Sequence, residues 1–230
     1  MLRRLTGRSA PTAHIQRALA ARWAQLIGGF LLLGLAIALM IRSGLGLGPW
    51  DAFHVGLGRL AGISVGAASV LTGLVIILLS LPAGLRPRPG TLANMVFIGL
   101  FSDLMLPLVP PAHGLVAGLA YFAAAFPVMG VATGMYIAAR LGSGPRDGVM
   151  LALVRRTGWP VRRVRTFIEL SVLGAGWAMG GTIGLGTLLI ALFAGPSVQW
   201  GLQWFDVLPS SATPRAHGAA AGAGRRRDAA

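Results

Sequence analysis

Two six-residue stretches carry most of the chemistry this chain could do: GLGPWD, starting at residue 46, and GSGPRD, starting at residue 142, a spacing of 96 positions. In each, glycines (Gly46 and Gly48; Gly142 and Gly144) permit backbone conformations closed to other residues. Pro49 and Pro145 suit the first position of a helix, where a missing N–H costs nothing. Asp51 and Asp147 then fall in the first turn, near the positive end of the helix dipole. The spacing predicts short helices over about 49–61 and 145–157. On the first, Trp50, Phe53, Leu57 and Leu60 recur at helical spacing, which suits a re-entrant or interfacial helix with one apolar face. A helix N-terminus that opens on a cavity can hold an anionic group or a coupling ion. The plainer alternative is that the aspartates cap their own helices, and the two roles are compatible. His54 lies three residues after Asp51 on nearly the same face, where it would suit a proton relay or a structural polar contact. Arg146 stands where the first copy has Trp50, which either records membrane orientation or gives the second turn a preference for anions.

Two more carboxylates fall inside apolar runs. Asp103 sits in FIGLFSDLMLPLV, roughly 9 Å from one end of its segment by helical rise. Glu169 lies near the start of another, close in sequence to Arg162, Arg163 and Arg165. An ionised group in hydrocarbon is costly, so each is expected to face protein, find a partner or stay protonated. For Glu169 a salt bridge with a neighbouring arginine is the simpler reading; Asp103 has no such neighbour and is the stronger functional candidate. Asp51 with Asp103 could line an outer vestibule, and Asp147 with Glu169 an inner one. Asn94 and Gln199 are further polar residues in apolar runs, with weaker claims.

The elements that position these groups are membrane helices. Of 230 residues, 55% are hydrophobic and 11% charged, against about a quarter charged in a soluble domain. Cysteine is absent, which excludes disulfides, zinc–cysteine sites and thiol nucleophiles. Apolar segments over 23–41, 65–85, 92–109, 115–139, 166–181 and 186–205 each approach the roughly 20 residues needed to cross a bilayer. The fifth is the weakest, and the sixth is interrupted by Pro196 and ends near Trp200 and Trp204, which suit an interfacial aromatic belt. The first follows an arginine-containing leader and is too long for a cleaved signal, so an uncleaved anchor is expected. Every basic residue is arginine, and all but Arg42 and Arg59 fall in the four loops and tails that six spans with both termini inside would place in the cytoplasm. The net charge of +14 therefore records orientation, and no nucleic acid is expected as a partner.

The 96-residue shift extends well beyond the turns without a gap. It pairs Gly34 with Gly130, Ile41 with Ile137, Arg59 with Arg155, Gly62 with Gly158, GTL at 90–92 with GTL at 186–188, and Phe97 with Phe193. Such a run of rarer residue types argues for duplication. With three spans per copy, an odd number, the second copy enters the membrane from the opposite side, giving inverted repeats. The expected fold is an all-α polytopic membrane protein of about six transmembrane helices. It comprises a basic N-terminal segment (1–22), a first repeat (23–109), a second repeat (115–206) and a disordered cytoplasmic tail (207–230).

The sequence contains no phosphate-binding loop, zinc-protease, nucleophile-elbow or dinucleotide motif, and its four histidines have no metal-ligand spacing. No enzyme activity, cofactor or metal is expected. GLGPWDAFHVGLGRLAGISVGAASVLTGL, GSGPRDGVMLAL and GTLLIALFAGPSVQW resemble the YczE/YitT-like bacterial integral membrane proteins, especially the YczE branch, over about residues 23–205. The resemblance implies a multi-pass protein of the bacterial plasma membrane and carries over no catalytic residues. The expected function is a small secondary-transporter-like protein that moves a small solute by alternating access, with proton coupling through Asp103 and the turn aspartates as one form of it. The alternative is a non-transporting accessory protein assisting another membrane system, and either leaves room for a homo-oligomer or a membrane partner.

Overall fold

The computed structural model describes the backbone of residues 10–84, 87–142 and 144–207. Residues 1–9 of the expected N-terminal segment and 208–230 of the expected tail lie outside the described residues, whereas residues 10–22 are helical and run without a break into the first expected span. Among those described there are eight α-helices: α1 (Ala10–Arg42), α2 (Pro49–Ala61), α3 (Val65–Ser80), α4 (Pro89–Met105), α5 (Gly114–Ala138), α6 (Pro145–Thr157), α7 (Val161–Ala178) and α8 (Leu185–Trp204).

The helices recur at the spacing read from the sequence. α2, α3 and α4 start at 49, 65 and 89, and α6, α7 and α8 at 145, 161 and 185, each 96 positions later. Their caps recur as well: α2 and α6 both start after an extended glycine, Gly48 and Gly144, and both stop at a left-handed glycine, Gly62 (φ 67°) and Gly158 (φ 69°). Proline at the first position and glycine just past the last are the start and stop signals that a short helix needs.

α1 and α5 form the central pair, and they run antiparallel. Near the start of α1, Arg22 Nε donates to the Ala139 carbonyl at 2.7 Å and Gln25 Nε2 to that of Met135 at 3.0 Å, both at the end of α5. Near the end of α1, the Ser43 carbonyl lies against Gly118, at the start of α5. The turn that follows α1 and the turn that follows α5 therefore set out from opposite ends of the pair.

Each half also grips the other. The Gly186 N–H, entering α8, donates to the Leu45 carbonyl of the first turn at 2.7 Å, and the Gly90 N–H, entering α4, donates to the Leu141 carbonyl of the second turn at 3.1 Å. Donors and acceptors are both related by the 96-residue shift, so the same contact is made twice, once by each half. α2 packs on α7 and α6 on α3, again exchanging halves. A Cβ on Gly176 would stand 2.6 Å from the Phe53 backbone nitrogen, so the α2–α7 approach requires glycine there. Two core clusters complete the framework. One, with Met40, Leu47 and Phe122, surrounds the first turn; the other, with Leu26, Phe30 and Ala139, packs Leu141 of the second.

The outer surface is apolar. Leu78, Leu79, Leu104, Val116, Leu188 and Leu192 are all more than half exposed. Three helices are long and apolar enough to cross a membrane, at Gln16–Arg42, Gly114–Ala138 and Leu185–Trp204. A fourth crossing arises if α2 and α3, bent by 107° at their junction, act as one broken span. α4 is apolar but shorter, and α7 carries Arg163, Arg165 and Glu169 in its first half.

The close approaches give a direct stability test. A Cβ on Gly201 would overlap the Gly130 carbonyl at the α5–α8 contact, whereas Gly195 on the same helix has nothing within 4 Å. Gly201→Ala is expected to cost about 1–3 kcal/mol through overpacking, and Gly195→Ala to be neutral or stabilising by up to about 1 kcal/mol. Thermal melting of the two variants in mild detergent checks both signs.

Candidate functional site

The two turns come from opposite ends of the α1/α5 pair and converge. The Arg146 guanidinium carbon lies 4.6 Å from the centroid of the Trp50 ring, a cation–π contact between the fifth residues of the two motifs. Beside it is a cavity of about 220 Å³, walled by α1, α3, α4 and α5, with residues from the N-terminal parts of α2 and α6 also lining it. Pseudo-symmetry-related residues line it from both halves: Leu33 with Met129, and Met40 with Tyr136. The cavity therefore draws equivalent positions from both halves.

Its polar groups are few and grouped. Asp51 and His54 come from α2, Asn94 from α4, Ser69 and Thr72 from α3, and Arg146 from α6. His54 is 3% exposed, and its Nε2 is buried without a hydrogen-bond partner. A buried polar nitrogen without a partner costs on the order of 1–3 kcal/mol, which marks this position for something other than fold stability. Arg146 is the cation that acts electrostatically on both Asp51 and His54. The N-cap residue of both short helices is glycine, so neither helix end receives a side-chain cap. Asp51, in the first turn, complements the dipole of α2 without occupying its cap position.

The other expected site residues go elsewhere. Asp103 does not line the cavity: its carboxylate accepts from Ser64 Oγ at 2.5 Å and from the Gly66 N–H at 2.8 Å, while Ser64 Oγ accepts from the Ala67 N–H. Asp103 thus secures the start of α3. Glu169 pairs with Arg165 at 2.9 Å, one helical turn away on a solvent-facing stretch where the arginine side chain is 70% exposed. Asp51 lines the cavity without Asp103, so these two do not share a vestibule there. The Asp147 side chain lies outside the described residues. Trp50 reaches the site through Arg146. Of the turn residues, Gly144 and Pro145 line the cavity directly, while Gly46 and Gly142, at φ 106° and 149°, hold backbone shapes that favour glycine.

Sequence reasoning ranked Asn94 low and passed over Tyr136, Ser69 and Thr72. The 96-residue shift held the missing signal. Asn94 corresponds to Ile190, and the two occupy equivalent places, Asn94 against Gly144 and Ile190 against Gly48. A polar residue whose partner in the other copy is apolar marks where the two halves diverge. Arg146 against Trp50, His54 against Met150 and Tyr136 against Met40 follow the same rule.

An apolar outer surface and membrane-length helices define a helical membrane protein. Residues 20–203 match a family described as a family of unknown function, DUF6198, and the chain belongs to it. It is 36% identical over 190 residues to the uncharacterized membrane protein YczE of Bacillus subtilis (strain 168), covering 82% of this chain and 88% of that one. It is 32% identical over 184 residues to an uncharacterized protein of Haemophilus influenzae, covering 80% and 84% respectively, and 32% identical over 173 residues to the uncharacterized protein YyaS of B. subtilis, covering 73% and 85%. No solved structure matches.

His54 offers the sharpest check on the site. Replacing a buried, unpartnered imidazole by an apolar side chain removes a desolvation cost, so His54→Leu is expected to melt at the same temperature as the parent or higher. A drop of several degrees would identify His54 as a structural core residue.

Proposed function

We propose that this protein is a small secondary-transporter-like protein of the bacterial plasma membrane that moves a small solute through the central cavity by alternating access. The single observation that carries this reading is the convergence of two glycine-capped helix N-terminal regions, from opposite ends of an antiparallel pair, on one cavity that holds polar side chains from both halves. Broken helices whose N-termini meet near the middle of the membrane are how inverted-repeat transporters build a solute site. The 96-residue recurrence of helix starts and the twice-made turn hydrogen bond support inverted repeats. In this reading α1, α3, α4, α5, α7 and α8 cross the membrane, α2 and α6 are re-entrant, and both termini are cytoplasmic, as the arginine distribution favours. Any proton coupling runs through Asp51 and His54, not through Asp103. The chain acts without enzymatic chemistry.

Alternating access can be tested before the solute is identified. A single cysteine in place of Asn94, in this cysteine-free chain, is exposed to a membrane-impermeant thiosulfonate from either side of oriented vesicles. Reaction from both sides, abolished when Ala36→Trp fills the cavity, is expected; reaction from one side only would contradict alternating access and favour an accessory role. Asp103→Asn in the same background is expected to lose about 1–2 kcal/mol of stability while two-sided reaction persists.

A further inference from the structure

We infer that the outward face of α7 binds an anionic phospholipid of the surrounding bilayer, with the headgroup phosphate on the arginines of the α6–α7 junction and an acyl chain along the helix. Charge and apolar surface meet on this face, and together they select the occupant. The inference needs α7 to lie along the bilayer and is independent of transport.

The charge is concentrated and largely uncompensated. Arg155, Arg156, Arg162, Arg163 and Arg165 all fall within residues 155–165. Arg155 and Arg156 stand in the last turn of α6, where the helix dipole favours cations. Arg163 stands in the first turn of α7, at the positive end of that dipole, and the turn holds no acidic residue to offset it. Among the described residues one ion pair forms here, Arg165 with Glu169. Arg155, Arg156 and Arg163 are all exposed. Cations gathered so closely repel one another, and an external anion relieves that repulsion.

An apolar stripe continues from the charge. Arg163, Phe167, Leu170, Gly174 and Trp177 follow one another at alternating spacings of four and three, so they share one face of α7. Phe167, Leu170 and Trp177 are each more than half exposed. The opposite face is packed: Val164 is buried, and a Cβ on Gly176 would strike the backbone of α2. Trp159, half exposed in the turn between α6 and α7, meets the Phe167 ring edge to face with centroids 6.5 Å apart, which extends the apolar surface in among the arginines. A Cβ on Gly174 would meet nothing within 4 Å, so a notch opens between Leu170 and Trp177. From Phe167 to Trp177 the helix rises about 15 Å, half of a hydrocarbon core of about 30 Å and so the depth of one leaflet.

Simpler occupants satisfy only part of this face. A soluble phosphate leaves the stripe uncovered, and a zwitterionic lipid brings a cation of its own to the arginines. A second copy of the chain brings 20 further basic residues against six carboxylates. An anionic phospholipid covers both parts, because the guanidinium fork matches phosphate oxygens and the acyl chain lies in the notched stripe.

Purified full-length protein in mild detergent, stripped of co-purifying lipid, is titrated with short-chain phosphatidylglycerol, phosphatidylcholine of the same chain length, and glycerol 3-phosphate, with bound molecules counted by native mass spectrometry. Phosphatidylglycerol is expected to bind saturably and at least about tenfold more tightly than phosphatidylcholine, with glycerol 3-phosphate not retained. Arg156→Gln and Arg163→Gln are each expected to weaken phosphatidylglycerol binding about fivefold. Gly174→Leu, which fills the notch and leaves every arginine in place, is expected to weaken it as well, whereas Arg17→Gln, at the exposed start of α1, leaves it unchanged. Equal binding of the two lipids, or glycerol 3-phosphate binding as tightly as phosphatidylglycerol, would overturn the inference. An equal loss in Arg17→Gln would overturn it too, since overall charge and not this face would then attract the lipid. Gly174→Cys protein that forms disulfide-linked dimers in phosphatidylglycerol vesicles would overturn it in favour of a second copy. The comparison of lipids uses the parent protein alone, so it decides the matter even if a variant fails to fold.

Discussion

The structure depends on how it satisfies the backbone of two turns that break the helical ladder among apolar helices. Hydrocarbon offers no hydrogen bonds, so non-helical backbone at membrane depth is tolerated only where protein or a watered cavity serves its polar groups. Here each half serves the other. Gly186 N–H binds Leu45 O, and Gly90 N–H binds Leu141 O. The first turn is held further by Leu47, whose N–H donates to Thr182 O at 3.0 Å and whose carbonyl accepts from Thr187 Oγ1 at 2.7 Å. Neither turn can be completed by its own repeat, so the two halves are bound to fold as one unit. The glycines that let α2 touch α7 and α5 touch α8 follow from the same demand for close backbone approach.

From that constraint comes the cavity. Two helices that start inside the bundle leave a space between their N-terminal ends. The two halves differ where polar groups line it: arginine faces tryptophan, asparagine stands at the position equivalent to isoleucine, tyrosine at that of methionine, and His54 at that of Met150. The turns thus recur at the 96-residue spacing while the polar lining between them does not.

Much of this was legible in the sequence because it is local or periodic. Proline and glycine punctuation placed α2 and α6 at the bounds the structure has, and the 96-residue shift anticipated the recurrence of α3 and α4 in α7 and α8. What stayed hidden depends on contacts distant in sequence. Asp103 read as functional because its partners, Ser64 and Gly66, lie 39 and 37 residues away, and nothing local announces that it secures another helix. The meeting of Trp50 with Arg146 was equally invisible, since the shift gives their equivalence but not their proximity. Hydropathy counted six apolar segments, whereas among the described residues three helices, or four spans if α2 and α3 act as one, meet the length and composition of a crossing, because α4 is short and α7 carries charge in its first half.

The central claim is that the two turns approach the cavity from opposite sides of the membrane. Gly44 and Arg140 are equivalent positions at the outer ends of the turns, both with left-handed backbone, at φ 70° and 56°. Single cysteines at each, labelled in intact cells with an impermeant maleimide, test the claim directly. The account predicts that position 44 labels from outside and position 140 only after permeabilisation. Labelling of both from the same side would contradict it and remove the basis for a shared central site.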